Sequence, residues 1–290
     1  MAAQNSSVRI PPVWLVLTGI ASVQLGAGLA KDLFDDASPT VIVFLRLAFS
    51  ALVLVLVARP ALRGRTREEW LVVLGFGVSL GVMNWSIYQA FARIPLGIAV
   101  TIEFVGPLTL AVLGSRRARD LVWVGFAAIG VLLLGVDDAD LTLAGVLFAL
   151  LAGAAWAAYI LLSAQTGRRW PGIDGLSMAS VIAAALLLPL LLLDGGRAAA
   201  LDPHVLLVGF LIGLLSSVIP YTCELVALRS LRPATFGVLM SLEPAAAALA
   251  GFLVLREVLT PLQLVAVACV VVASVGATRG TAVISEPAPD

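Results

Sequence analysis

Charge is what this sequence has least of. Asp, Glu, Lys and Arg make up 12 % of its 290 residues, against about a quarter in an ordinary soluble domain. Hydrophobic residues reach 61 %, and the mean hydropathy is +1.06. A chain of that composition cannot keep its surface wet, which excludes a secreted domain, a nucleic-acid binder and a conventional cytosolic enzyme. Its 18 basic residues balance its 18 acidic ones, so no net field draws polyanions. Cysteine and histidine are equally scarce. Cys223 and Cys269 lie inside apolar runs and read as small buried hydrophobes, not as a disulfide or metal pair. The single histidine, His204, sits in a connecting segment and leaves little for imidazole chemistry. No catalytic residue, metal site or cofactor is expected.

What the chain has instead is long apolar segments. A helix needs about 20 mostly apolar residues to cross a bilayer, and ten such runs occur: 12–30, 40–58, 70–92, 96–114, 120–136, 141–163, 174–193, 204–229, 233–254 and 260–278. None alternates like a barrel strand, and only helices or closed barrels satisfy their backbones in hydrocarbon. The fold class expected is an all-α polytopic membrane protein with ten transmembrane helices. Gly28-Leu29-Ala30 could pass for a signal cleavage site, yet nine further runs follow the first, which reads as an uncleaved helix.

Basic residues give the orientation. Numbering the connections alternately from the N-terminus, one set holds 13: Arg9, Arg59, Arg63, Arg65, Arg67, Arg116, Arg117, Arg119, Arg168, Arg169, Arg229, Arg232 and Arg279. The other holds 4, namely Lys31, Arg93, Arg197 and Arg256, together with the acidic tracts Asp32, Asp35, Asp36 and Asp137, Asp138, Asp140. Both termini are therefore expected in the cytoplasm. Thr260-Pro261-Leu262-Gln263 reads as a capping box opening the last helix, and Ser38-Pro39 as the start of the second.

Two stretches echo each other about 137 residues apart: Ala90-Phe91 with Glu103 to Pro107, and Ala227-Leu228 with Met240 to Pro244. Gly77 likewise matches Gly213. Each half then holds five helices, and because five is odd the second half enters the membrane from the opposite side. Inverted repeats of this kind build secondary transporters around a midplane site. The expected division is 1–11 tail, 12–137 first repeat, 138–279 second repeat and 280–290 tail. Gly77 with Gly81, and Gly209 with Gly213, are spaced as small faces that let helices approach closely.

Four ionisable residues stand deep inside the runs: Arg46, Glu103, Glu224 and Glu243. Each costs about 2.5–3.5 kcal/mol at a bilayer centre, so each is expected to face the bundle interior or water. Ser217, Tyr221 and Glu224 fall at i, i+4 and i+7 on one helical face. Asn84 and Tyr88 form an i, i+4 pair, Gln24 lies beside Gly26 and Gly28, and the repeat offset sets Tyr88 opposite Glu224. Pro107, Pro220 and Pro244 are the expected kinks, Pro220 lying in mid-helix. Glu243 has a second reading as a partner for backbone groups freed at Pro244, and Arg46 one as a counter-charge. Trp85 and Phe236 are candidates for shaping the pocket. Carboxylates, aromatic hydroxyls and an amide suit a small polar or zwitterionic cargo. A carboxyl group kept from bulk water can also take up and release a proton in a cycle, for which Glu103 and Glu224 are the candidates.

Several segments resemble a known family. Met83-Asn84-Trp85, the run from Arg93 to Val100, Glu103-Phe104-Val105-Gly106-Pro107-Leu108, Ser115-Arg116-Arg117, Pro220-Tyr221 to Glu224 and Phe236 to Pro244 occur in an order similar to that of inner-membrane threonine/homoserine exporters of the drug/metabolite transporter superfamily. Trp156-Ala157-Ala158-Tyr159 resembles the start of a second EamA-type repeat, and Arg256 to Pro261 its usual turn between the ninth and tenth helices. The resemblance implies ten helices in two EamA repeats, both termini inside, and proton-driven efflux of small metabolites. The partners it implies are a small-molecule cargo such as an amino acid, protons and the lipid bilayer. Another cargo, such as a drug, a nucleobase or a different amino acid, is the alternative. An intramembrane enzyme is remote, since no zinc-protease motif, aspartyl pair or nucleophile elbow is present.

Overall fold

A computed structural model describes residues 11–113, 121–136, 141–228, 231 and 233–282. The described chain is helical: α1 (Pro12–Asp32), α2 (Pro39–Ala58), α3 (Arg67–Phe91), α4 (Leu96–Glu103), α5 (Val105–Leu113), α6 (Leu121–Val136), α7 (Leu143–Gly167), α8 (Asp174–Leu193), α9 (Arg197–Ala200), α10 (Pro203–Gly213), α11 (Ile219–Leu228), α12 (Pro233–Met240), α13 (Glu243–Leu255) and α14 (Pro261–Ala282). Eight segments are long and apolar enough to cross a membrane, and Leu121–Leu133 and Pro261–Ala277 form two shorter apolar helices. The protein is a multi-pass membrane protein. Its outer surface agrees: Leu56, Leu132 and Leu253 stand 64, 69 and 65 % exposed, the inside-out pattern of a lipid-facing bundle.

Local chemistry sets the helix ends. Ser38 Oγ accepts from the Val41 N–H and opens α2. Thr260 and Gln263 exchange the two bonds of the expected capping box. A second box, Thr66 with Glu69, opens α3. Two of the expected continuous spans are broken. Phe104 is a turn between α4 and α5, and Ser241-Leu242 a turn between α12 and α13, in each case just before an expected kink proline, Pro107 or Pro244.

A third span is continuous but irregular. Between α10 and α11, Leu214–Val218 forms a π turn, and Pro220 follows it. Proline has no N–H, so the acceptor it leaves without a partner is the Ser216 carbonyl on an α ladder or the Leu215 carbonyl on a π ladder. Both are taken by side chains: Arg46 Nη2 donates to Ser216 O at 3.1 Å, and Ser22 Oγ to Leu215 O at 2.6 Å.

Packing follows the small residues. Gly77 and Gly81 seat α3 against Ile182, Ala183 and Leu186 of α8, and Gly209 and Gly213 seat α10 against Leu45 and Phe49 of α2. The closest approach lies at the break of α4–α5, where a Cβ on Gly106 would stand 1.9 Å from the Gly153 carbonyl oxygen of α7.

Polar contacts between connections sort into two ends. At one, Arg65 bonds the Arg169 carbonyl and pairs with Asp174, while its guanidinium covers Trp170. At the other, Lys31 donates to the Ile94 carbonyl at 2.8 Å and pairs with Glu257 at 2.6 Å, and Ser38 bonds Asp194. Each end gathers only connections of one of the two alternating sets. Arg9, Arg116, Arg117, Arg119, Arg229, Arg232, Ser115 and the tract Asp137, Asp138 and Asp140 lie outside the described residues, as does the Arg279 side chain.

Candidate functional site

Helices α1, α2, α3, α4, α7, α11, α12 and α13 and the π turn enclose a cavity of about 180 Å³. Three carboxylates face it, Glu103, Glu224 and Glu243, together with one cation, Arg46. Glu103 ends α4 and Glu243 begins α13, so both sit where a broken helix passes the middle of the bundle. The prolines account for more than the breaks. The residues four positions before Pro107, Pro220 and Pro244 are Glu103, Ser216 and Met240, and all three line the cavity. On an α ladder each proline thus withdraws an N–H from a backbone carbonyl at the cavity wall, whereas on the π ladder Pro220 leaves the Leu215 carbonyl instead.

Gln24, Asn84 and Tyr221 line the same space, as expected. Asn84 Nδ2 donates to the Leu80 carbonyl at 2.8 Å, which ties down its amide end. Tyr159 and Tyr221 both line this space. Among the described residues no cation lies within 4 Å of Glu103, Glu224 or Glu243. Arg46 is held instead by the Ser216 carbonyl and, at 3.5 Å, by the Tyr88 hydroxyl.

Two expected residues stand differently. Ser217 is buried but does not line the cavity, and Ser216 takes its place. The physical reason is the π turn. An α-helix returns to the same face four residues before Tyr221, at Ser217, whereas a π turn returns five before it, at Ser216. Tyr88 is fully buried between Phe34 and Phe91 and reaches the cavity only through its hydroxyl contact with Arg46. Trp85 bonds Thr40 and packs on Phe148, and Phe236 packs in the cluster around Val16, Ile20 and Ala227.

Residues 143–279 match the EamA-like transporter family. Over 279 residues, 94 % of each chain, the protein is 42 % identical to the threonine/homoserine exporter RhtA of Escherichia coli strain K12. It is 39 % identical to the same exporter of Salmonella typhimurium strain LT2 over an equal share. The chain belongs to the EamA-like transporter family. It is a drug/metabolite transporter close to those exporters, and not an enzyme, as the order of motifs implied. A solved crystal structure, 18 % identical, superposes with a TM-score of 0.61 over 94 % of this chain and 99 % of its own, a likeness of fold.

Within that family frame, the site residues missing from the sequence reading become intelligible. Trp156 and Tyr159 line the cavity from α7, although the motif that contains them pointed only to the start of a repeat. Ser216 had one sequence signal. The echo offset is 136 residues at Gly77/Gly213 and 137 at Ala90/Ala227, so the second stretch holds one extra residue between 213 and 227. The π turn lies in that interval.

Proposed function

We propose that this EamA-family protein is a secondary active exporter of small amino acids, with threonine and homoserine as its leading cargoes. The observation that carries the reading is the cavity: three carboxylates without ion pairs among the described residues and one arginine, within the bundle of a chain 42 % identical to named threonine/homoserine exporters. Such a chamber offers an ammonium group and a carboxylate opposite partners. Export is driven by proton exchange, with Glu103 and Glu224 as the carriers and alternating access around the cavity.

The architecture proposed is ten crossings in two inverted halves, 12–137 and 138–279, with both termini cytoplasmic. The contact pattern supports it. The first half's α3 packs on α7 and α8, and the corresponding second-half segment packs on α1 and α2. Helices α2 and α8, α4 and α13, and α6 and α14 pair with each other across the halves, as a twofold relation requires. At an offset of 137, Met83, Asn84 and Ile87 correspond to Pro220, Tyr221 and Glu224, and all six line the cavity. In this register Ile87, not Tyr88, is the counterpart of Glu224.

The test is resistance profiling. Expressed in a strain sensitive to threonine and homoserine, the protein is expected to protect against both and against their toxic analogues. Protection only against lipophilic dyes or nucleobases would replace the cargo assignment.

A further inference from the structure

We infer that Arg46 and Ser216 form the subsite for the cargo's carboxylate. The inference rests on the reading of the cavity as an amino-acid site and assigns one end of the cargo within it.

Five buried side-chain N or O atoms lack a hydrogen-bond partner among the described residues, and three belong to residues that line the cavity: Arg46 Nε, Ser216 Oγ and Gln24 Oε1. Ser216 and Gln24 are each 3 % exposed, so bulk water does not relieve them. Unpaired donors in such a place are uncommon in folded proteins and call for a partner. Two of the three atoms, Arg46 Nε and Ser216 Oγ, can donate. They belong to adjoining residues, since Arg46 Nη2 already bonds the Ser216 carbonyl at 3.1 Å. A carboxylate is acceptor-only and takes two donors at once, so it is the chemistry that fits.

The arrangement around the pair is built to hold it. Arg46 binds the Ser216 carbonyl next to Pro220, which turns the guanidinium toward the π turn. The π turn brings Ser216 rather than Ser217 to the cavity. Gly26 leaves room for the hydroxyl, because a Cβ there would stand 2.3 Å from Ser216 Oγ. Arg46 also lies over the Tyr88 ring, 5.6 Å from its centroid, which limits its swing. The carboxylates Glu103, Glu224 and Glu243 then remain for the ammonium end, and a zwitterion spans the chamber.

The experiment measures ligand-induced shifts in melting temperature and competition for labelled threonine with the purified full-length protein. The probes are L-threonine, L-homoserine and L-threoninamide, which keeps the ammonium and hydroxyl but lacks the carboxylate. Wild type is expected to prefer threonine over its amide by about tenfold or more, as loss of a charge-assisted bond implies. Arg46→Gln is expected to abolish that preference by weakening threonine alone, and Ser216→Ala to reduce it about threefold. Equal weakening of both ligands, or no preference in the wild type, overturns the inference and leaves Arg46 a structural support. If Arg46→Gln does not purify as a monodisperse protein, Ser216→Ala decides: a loss confined to carboxylated ligands supports the subsite, and an equal loss overturns it. A wild type that binds other α-amino acids with the same carboxylate requirement, but neither threonine nor homoserine, refutes the proposed cargo and supports the subsite. A wild type that binds no carboxylated compound refutes both.

Discussion

Arg46 on α2 donates to the carbonyl of Ser216, the acceptor that Pro220 leaves without its helical N–H on an α ladder, next to the π turn. A half-buried cation and a buried carbonyl, each costly alone, thereby satisfy each other at the cavity wall.

On an α ladder, restoring the N–H reverses that exchange. Pro220→Ala lets helix 203–228 close its own ladder, so its melting temperature in detergent is expected to match or exceed that of the wild type. Arg46 then loses its backbone acceptor, and export is expected to fall several-fold. A melting temperature well below wild type would show that the proline is needed for stability rather than for placing Arg46.

The glycine contacts predict opposite outcomes for one chemical change. Gly106→Ala and Gly153→Ala force a Cβ onto backbone, 1.9 Å from the Gly153 oxygen and 2.5 Å from the Glu103 oxygen respectively. Each is expected to cost about 1–3 kcal/mol by overpacking. Gly125→Ala in α6 meets nothing within 4 Å. It is expected to be neutral or stabilising by up to about 1 kcal/mol, since alanine is the better helix former. Thermal unfolding of the three variants checks the contrast.

Lys31, Glu257 and the start of α4 form a clasp. Glu257 Oε1 pairs with Lys31, and Oε2 accepts from the Leu96 N–H at 2.8 Å, serving a helix that begins after Pro95 without a side-chain cap of its own. Glu257→Ala is therefore expected to destabilise more than Lys31→Ala. The Lys31 and Glu257 side chains are 19 and 18 % exposed. The coupling in a double-mutant cycle is accordingly expected to be modest, about 1 kcal/mol. Equal single effects with no coupling would mean that the ion pair is incidental.

Periodicity and composition made the helices legible, because lipid leaves a chain few options: most expected spans agree with the helices to within a few residues. Glu103, Glu224, Glu243, Arg46, Gln24, Asn84 and Tyr221 were legible for a related reason, since polar side chains in an apolar run must converge on something. Ser216 stands at the cavity where an ideal 3.6-residue repeat sets Ser217, because the helix holds a π turn, and the one-residue change of the echo offset across that turn is why the sequence sets Tyr88 opposite Glu224. Glu257 was passed over as part of a turn motif. Its role depends on α1 and α4 meeting the turn after α13, and no local pattern encodes that meeting.

The most direct measurement is efflux of labelled threonine from proteoliposomes with and without an imposed pH gradient, using wild type and the Glu103→Gln, Glu224→Gln double variant. The account predicts gradient-accelerated, saturable flux in the wild type, and a double variant that no longer responds to the gradient. Undiminished gradient-driven flux in the double variant would contradict it.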